Sequence, residues 1–511
     1  MPPSAIFRIL PADRAWPLHA AAATRHIEQQ AIAGLPAHSL MRRAGDSVAR
    51  LSLALAPHAH RVWVAAGPGN NGGDGMETAL QLQAAGRQVS VTWLGDAARL
   101  STDAKDALAR AQAAGVHIAT ELPGDEIEFD FAVDALLGIG AAREPAGALL
   151  ASIQRLNRLS PRVLAVDLPS GLAADTGCAV PGACVRAAHT LSLLTLKPGL
   201  FTAAGRDHAG TVWLDTLGCD ADTVSADAWL QGASATPHSA REHTRHKGSF
   251  GDVAVVGGAN GMRGAALLAA RAAHAAGAGR VYVDCLEAQG SAANAVDPVR
   301  PELMFATEWC SRDAAVLKQT TVVCGCGGGE AVRRVLPRLL SLAPRLVLDA
   351  DALNAVAADA SLLALLRRRR VRQQATVLTP HPLEAARLLG CSAVEVQSDR
   401  LHAARRLVET TDCVVVLKGS GSLIAAPGEL PRINATGNGS LASAGTGDVL
   451  AGWLGGLWAQ AGLTDNGFAD AFGVAARAVA EHGAAAEPER PGALRAGDLI
   501  EALHRRSRGL A

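Results

Sequence analysis

Aromatic side chains are scarce in this chain. They make up 3% of 511 residues, with a single Tyr. A protein that holds single strands by base stacking needs more of them. Charge of one sign is also missing: 48 Lys and Arg balance 48 Asp and Glu. A protein that grips a phosphate backbone normally carries a basic excess. No nucleic-acid partner is expected. No apolar run reaches the ~20 residues of a membrane span. The alanine-rich stretch near 265–280 is broken by Arg271 and His274 and reads as a packed helix. Asp13, Arg14 and Pro17 interrupt any apolar core of a secretory signal. The nine Cys lack a regular spacing, and Cys324 with Cys326 has no second half for a zinc site. The expectation is a soluble, cytoplasmic protein with reduced thiols and no membrane partner.

Apolar residues are abundant, at 49%, enough for sizeable cores. The 53 Gly and 24 Pro are dispersed and signal many turns and close backbone approaches. The length allows two to four domains at roughly 100–200 residues each. Short apolar runs alternate with helical patterns such as 73–86 and 101–114. Runs at 61–67, 88–95, 129–138, 162–171 and 189–196 form one series. A second begins at 251–258 and continues at 279–285, 321–329, 345–353, 375–382 and 413–422. This rhythm predicts parallel sheets covered by helices on both faces. Residues 220–236, small and polar, read as a linker between an N-terminal domain, 1–219, and a C-terminal domain, 237–511. The charge run 366–372 reads as a solvated helix end rather than a binding tract.

Ligands in open α/β sheets sit beyond the carboxyl ends of the strands. The turn after 61–66 is Gly67-Pro68-Gly69-Asn70-Asn71-Gly72-Gly73-Asp74-Gly75. Its glycines let backbone amides approach an anion at a helix start. It lacks the dinucleotide fingerprint and the Gly-Lys-Ser/Thr of a P-loop. A tight turn with an Asx cap is the plainer reading. Two further strand ends carry acids: Asp134, followed by Leu136 to Gly140, and Asp167, followed by Pro169-Ser170-Gly171. A lone acid there would be a helix cap. Three such ends can converge on one crevice, where Asn, Asp and Ser oxygens suit a hard cation.

These motifs, with the upstream segment 25–45, resemble the NAD(P)HX epimerase domain over residues 10–219. The resemblance implies a Rossmann-like three-layer αβα domain that inverts C6 of the hydrated nicotinamide nucleotide. It implies substrate contacts from Asn70, Asn71, Gly72, Gly73 and Asp74. It implies a phosphate cradle over Gly138, Ile139, Gly140, Ala141, Ala142, Arg143 and Glu144. Potassium would be held by Asn71, Asp134 and Ser170. Asp167 matches the substrate-binding acid and is the expected proton carrier. Met76 and Glu77 stand where that family has apolar residues, and Ile139 where Thr is commoner.

The second half offers Gly257-Gly258 before Ala265, and the glycine loop Gly325 to Gly329, readable as a phosphate loop or a packing turn. Asp349-Ala350-Asp351 and Thr379-Pro380-His381-Pro382 close the next strands. His381 reads as a cap or structural group more readily than as a ligand. Lys418-Gly419-Ser420-Gly421-Ser422 offers a cation and hydroxyls to phosphates. Gly445-Thr446-Gly447-Asp448 places amides at a helix start, an anion hole, with an acid beside it. A capped helix start explains the Thr and Asp alone.

Together these segments resemble the ADP-dependent NAD(P)HX dehydratase domain, a ribokinase-like α/β fold, over 237–508. The resemblance implies substrate contacts from Ala265, Gly327, His381 and Asp448. It places the adenine nucleotide at Lys418 to Ser422 and Gly447. Asp448 is the expected base, and the Gly445 to Gly447 amides the anion hole. Magnesium is a plausible helper, and Cys324 and Cys326 stand where that family favours Gly-Pro. The implied whole is a bifunctional repair enzyme, expected as a homo-oligomer, that takes NADHX, NADPHX and ADP. Two readings compete: a small-molecule kinase with a nucleotide-binding N-terminal half, and an assembly scaffold. Retention of Asn71, Asp134, Asp167 and Ser170 argues against the scaffold.

Overall fold

The structure, a computed structural model, describes residues 5–140, 144–159, 162–220, 223–232, 241–287, 296–461, 467–487 and 492–509. The chain divides into two compact units, Met1–Leu230 and Gln231–Ala511. Among the described residues no helix is long and apolar enough to cross a membrane.

The first unit is built on an eight-stranded sheet. From edge to edge the strands are Ile6–Arg8, Thr211–Asp215, His189–Leu193, Val163–Val166, Phe131–Ala135, Arg61–Ala66, Gln88–Trp93 and His117–Ala119. All neighbours pair in parallel except Ile6–Arg8, which is antiparallel to Thr211–Asp215. The central strands are continuous apolar runs because helices cover both faces. One core layer gathers Met41, Val48, Val64, Met76 and Leu108; the other gathers Trp63, Phe129, Ile153 and Leu156. From Arg61–Ala66 the chain winds first to one side and later to the other. The crevice between that strand and Phe131–Ala135 is therefore the topological switch point.

The second unit repeats the principle with different connections. Its strands run Met304–Phe305, Arg280–Cys285, Asp252–Gly257, Thr320–Cys324, Arg345–Leu348, Ala375–Leu378, Val414–Leu417, Leu423–Ala425 and Arg432–Asn434. Pairing is parallel as far as Val414–Leu417 and antiparallel for the last two strands. The switch point lies between Asp252–Gly257 and Thr320–Cys324. Helix Thr446–Gln460 crosses helix Arg263–Ala275 at close range. A Cβ on Gly452 would stand 1.9 Å from the Ala269 carbonyl oxygen, so only glycine fits this crossing.

Two sequence expectations change. Inside the expected linker 220–236, Ala228–Gln231 forms a strand, antiparallel to Trp16–Leu18. Ala228 and Leu230 bury there, which polar neighbours in the sequence conceal. The arginine run is not wholly solvated either. Arg369 on helix Ala360–Val371 is 1% exposed. Its guanidinium donates to the carbonyl oxygens of Leu340 and Ala343 and to Thr376 Oγ1.

Candidate active sites

In the first unit, three strand ends meet at one cavity of about 390 Å³. Helix Asn70–Ala84 starts directly after Gly69, so Asn70, Asn71, Gly72 and Gly73 form its opening turn and Asp74 follows them. The approach is tight: a Cβ on Gly67 would meet the Leu136 oxygen at 1.7 Å. Asn70, Asn71, Asp74, Gly138, Ile139, Gly140 and Asp167 line the cavity. Gly72 and Gly73 serve packing, against Gly67 and Met41. Ala141, Ala142 and Arg143 lie outside the described residues, and Glu144 is exposed.

Asp134 is fully buried at the middle strand end. It accepts from Ser170 Oγ at 2.6 Å, from the Ser170 amide at 2.8 Å and from the Leu136 amide at 3.2 Å. Ser170 Oγ in turn accepts from the Leu137 amide at 2.9 Å. Burial pushes the Asp134 carboxyl up to about 6, against the pull of these hydrogen bonds. Among the described residues no Lys or Arg pairs with it. The neighbouring Asn71 amide is also buried, and its Nδ2 finds no partner.

Asp167 follows Val163–Val166 in a left-handed conformation, φ +69°, a strained state for a non-glycine residue. Its carboxylate pairs with Lys197 and accepts from the Leu193 amide at 3.1 Å. Lys197 is 0% exposed and also donates to the carbonyl oxygens of Leu193, at 2.8 Å, and Thr195, at 3.1 Å. Sequence reasoning missed Lys197. A lysine between the apolar runs 189–196 and 198–201 was the available signal. It also missed the opposite wall: Arg25, Glu28 and Asp103 line the cavity. Arg25 donates to the Ile139 oxygen at 3.1 Å. Glu77, the departure noted above, is buried, pairs with Arg110, and fits because Gly45 leaves it room.

In the second unit the glycine loop wraps the switch point. The Gly258 amide donates to the Cys326 oxygen and the Ala259 amide to the Gly327 oxygen. Gly327, at φ +59°, faces Ala265: a Cβ on it would stand 3.0 Å from the Ala265 Cβ. Cys326, Asp349 and Asp448 place ligating atoms within 4.8 Å of one another. Asp349 takes a 2.7 Å ion pair from Lys418 and a 2.9 Å hydrogen bond from Thr379 Oγ1. Burial pushes the Asp448 carboxyl up to about 6, helped by the Asp349 charge and opposed by a hydrogen bond from Cys326. Burial also pulls the Lys418 ammonium down, but Asp349 and Glu384 outweigh it and leave it above its ordinary value.

Helix Thr446–Gln460 starts from Gly445, at φ +87°. Gly447 in its first turn faces the lysine: a Cβ there would lie 3.3 Å from Lys418 Nζ. Lys418, Gly447, Asp349 and Asp448 therefore share one centre. Beneath the lysine loop, Arg400 is 1% exposed and donates to the carbonyl oxygens of Leu417 and Lys418, both at 3.2 Å. A Cβ on Gly419 would strike that guanidinium at 2.8 Å, which explains the glycine. Ser422 Oγ closes the loop on the Gly419 oxygen at 3.1 Å. His381 caps helix Pro382–Leu389: its Nδ1 accepts from the Leu383 amide at 3.1 Å. Its Nε2 lies 3.1 Å from Glu384. The cap occupies His381 Nδ1, while the Lys418 amide bonds the Pro380 oxygen and brings the two turns together. Asp349, Thr379 and Arg400 are further residues that sequence reasoning left without a role.

Both units are similar to known proteins. A family model described as NAD(P)H-hydrate dehydratase matches residues 253–505, and one described as YjeF-related protein N-terminus matches 37–199. The bifunctional NAD(P)H-hydrate repair enzyme of Escherichia coli K12 is 38% identical over 440 residues, covering 84% of this chain and 82% of its own. That of Coxiella burnetii is 36% identical over 451 residues, covering 85% and 88%. A crystal structure of the ADP/ATP-dependent NAD(P)H-hydrate dehydratase of Bacillus subtilis, co-crystallized with ATP and Mg2+, is 29% identical. It covers 54% of this chain and 95% of its own, with a TM-score of 0.45. With both units matched in relatives that span most of its length, the chain belongs to the family of bifunctional NAD(P)H-hydrate repair enzymes.

Proposed function

We propose that the first unit interconverts the R and S forms of hydrated NADH and NADPH, and that the second dehydrates the S form at the expense of ADP. The observation that carries this reading is one chain with two acid-bearing switch points, each in the unit its family model assigns. The kinase reading explains only the second. In the second unit, Asp448 takes the proton of the C6 hydroxyl as ADP transfers its terminal phosphoryl group there, releasing AMP. The Gly445 to Gly447 amides and Lys418 carry the moving charge. The C6–O bond then breaks, phosphate leaves with the electron pair, the ring nitrogen supplies its lone pair, and C5 loses a proton. Ala265 and Gly327 border the substrate, the loop Lys418 to Ser422 holds the nucleotide, and His381 fixes the turn beside it.

Potassium fits the first unit. A buried carboxylate without a cationic partner, a serine oxygen and a buried amide with an unpartnered end make an oxygen-rich donor set. Asp134, Ser170 and Asn71 would hold the ion, which supplies positive charge beneath the substrate. Magnesium does not fit the Cys326, Asp349 and Asp448 cluster as a resident ion, because a sulfur stands among the donors and Asp349 is already paired. It would arrive on the nucleotide phosphates. The test is recovery of reduced-nicotinamide absorbance from mixed hydrate epimers. ADP should restore the S form quickly and the R form through inversion. A stable phosphorylated product without recovery would establish the kinase instead.

A further inference from the structure

The cavity of the first unit holds more acid than one proton carrier requires. Asp167 stands on one flank, at the end of Val163–Val166, ion-paired to Lys197. Asp74 stands on the other flank, as the fifth residue of the helix that follows Arg61–Ala66. Between them lies the strand Phe131–Ala135 with its Leu136 to Gly138 turn. At about 4.8 Å per strand spacing, the two strands that lead to these acids lie roughly 10 Å apart. Both side chains line the same cavity. The Asp74 carboxyl makes no side-chain hydrogen bond among the described residues.

Inverting C6 requires a group on each face of the ring. The hydroxyl leaves from one face and an oxygen returns on the other. We propose that Asp74 is the second acid–base group of the epimerase, acting across C6 from Asp167. This rests on the epimerase reading given above. In one direction the Asp74 O–H gives its proton to the C6 hydroxyl. The C6–O bond breaks and its electron pair leaves with water. The N1 lone pair forms the N1–C6 double bond of an iminium. A water on the opposite face loses a proton to the Asp167 carboxylate and adds its oxygen to C6, and the N1 lone pair is restored. The reverse inversion exchanges the two roles.

The electrostatics of the cavity match this division. Burial pushes the Asp74 carboxyl well above the usual carboxylate range, and the charges of Asp167, Glu28, Asp103 and Glu77 push it further. These effects favour its protonated form, while Asp167 has Lys197 to balance its charge. Glu28 is the competing donor: it lines the cavity and is also raised, first by burial and then by Asp167.

The experiment is inversion of purified R hydrate by the full-length enzyme in ¹⁸O-labelled water, with the spontaneous rate subtracted. Wild type should take up one solvent oxygen at C6 per inversion. Asp74→Asn keeps size and polarity but has no proton to give. It should lose inversion and oxygen uptake together, by about 10²–10⁴-fold in kcat, with KM little changed. Its ADP-dependent dehydration of S hydrate should stay at the wild-type rate, and the first unit's thermal unfolding transition should stay in place, which shows that both units are folded. The proposal is overturned if Asp74→Asn inverts near the wild-type rate. It is equally overturned if Glu28→Gln shows the larger loss, or if wild type inverts without uptake of labelled oxygen. Failure of wild type itself to outpace spontaneous inversion would sink the epimerase reading instead.

Discussion

The two units place a lysine and an aspartate at equivalent spots and use them differently. Lys197 and Lys418 both pair with an acid at a strand end, Asp167 and Asp349. An ammonium has three protons to donate. Lys197 directs all of its donors into the protein: one to Asp167, the others to the carbonyl oxygens of Leu193 and Thr195. It is an internal counter-ion with nothing left for a ligand. Among the described residues Lys418 has one such bond, to Asp349, and faces the start of helix Thr446–Gln460 at Gly447. Its Nζ lies beside the amides of that helix start, so it can meet a phosphoryl group there. The same residue type serves structure in one unit and a ligand in the other. Hydrogen-bond saturation separates the two roles, and burial goes with it: the Lys197 side chain is 0% exposed and that of Lys418 18%.

The sharpest way to break the comparison is to remove the groups that set the two centres apart. Asp448→Asn keeps the side chain's shape and removes its basicity. It should lower ADP-dependent repair of S hydrate by about 10²–10⁴-fold in kcat while R to S inversion continues. Stopped-flow absorbance with pure S hydrate checks it; repair near the wild-type rate would remove Asp448 as base. Asp167→Asn is the mirror experiment. It should spare S repair and stop use of the R form, again by about 10²–10⁴-fold. Lys418→Met comes next. Losing one charged donor at the anion site should cost about 10²–10³-fold in kcat, with inversion unaffected. A rise in KM for ADP alone would mean that the lysine binds ground state and transition state equally.

Lys197→Met should act on stability instead. It leaves the buried Asp167 without its counter-ion, a change that costs about 3–5 kcal/mol. Thermal unfolding should show a drop confined to the first unit's transition, and dehydration of S hydrate should persist. Unchanged stability together with lost inversion would give Lys197 a direct part in the chemistry.

The parts of this architecture legible in the sequence were those with a local signature. Alternating apolar runs gave the parallel strands. The Asn70 to Asp74 turn and the Gly445 to Asp448 turn announced their helix starts, because glycine and Asx chemistry act within a few residues. The short strands Ile6–Arg8 and Leu423–Ala425 passed unseen, since three residues carry no period. Partners contributed from afar were also hidden. Lys197 lies 30 residues from Asp167, and Lys418 lies 69 from Asp349. Only the sheet order brings them together. His381 shows the converse: the sequence offered ligand or cap, and the geometry places its Nδ1 in a capping box.

The smallest effect tests the electrostatics of the dehydratase centre alone. Asp448 must be ionised to accept a proton, and its carboxyl is pushed up to about 6. Above that value it is the carboxylate and the rate should be flat. As pH falls through about 6 the acid form takes over, and repair of S hydrate should halve there. Each further unit should then cost about tenfold, because the basic fraction falls in proportion to the proton concentration. Phosphate groups of ADP also titrate, so the limb needs a second handle. Asp351 supplies one: its charge is among those raising Asp448, and its Oδ2 accepts from the Gly329 amide. Asp351→Asn removes the charge and keeps an acceptor. The acid limb should move to lower pH in this variant, with the plateau near its wild-type height. A limb that stays in place would assign it to the nucleotide and leave Asp448 without a titration of its own.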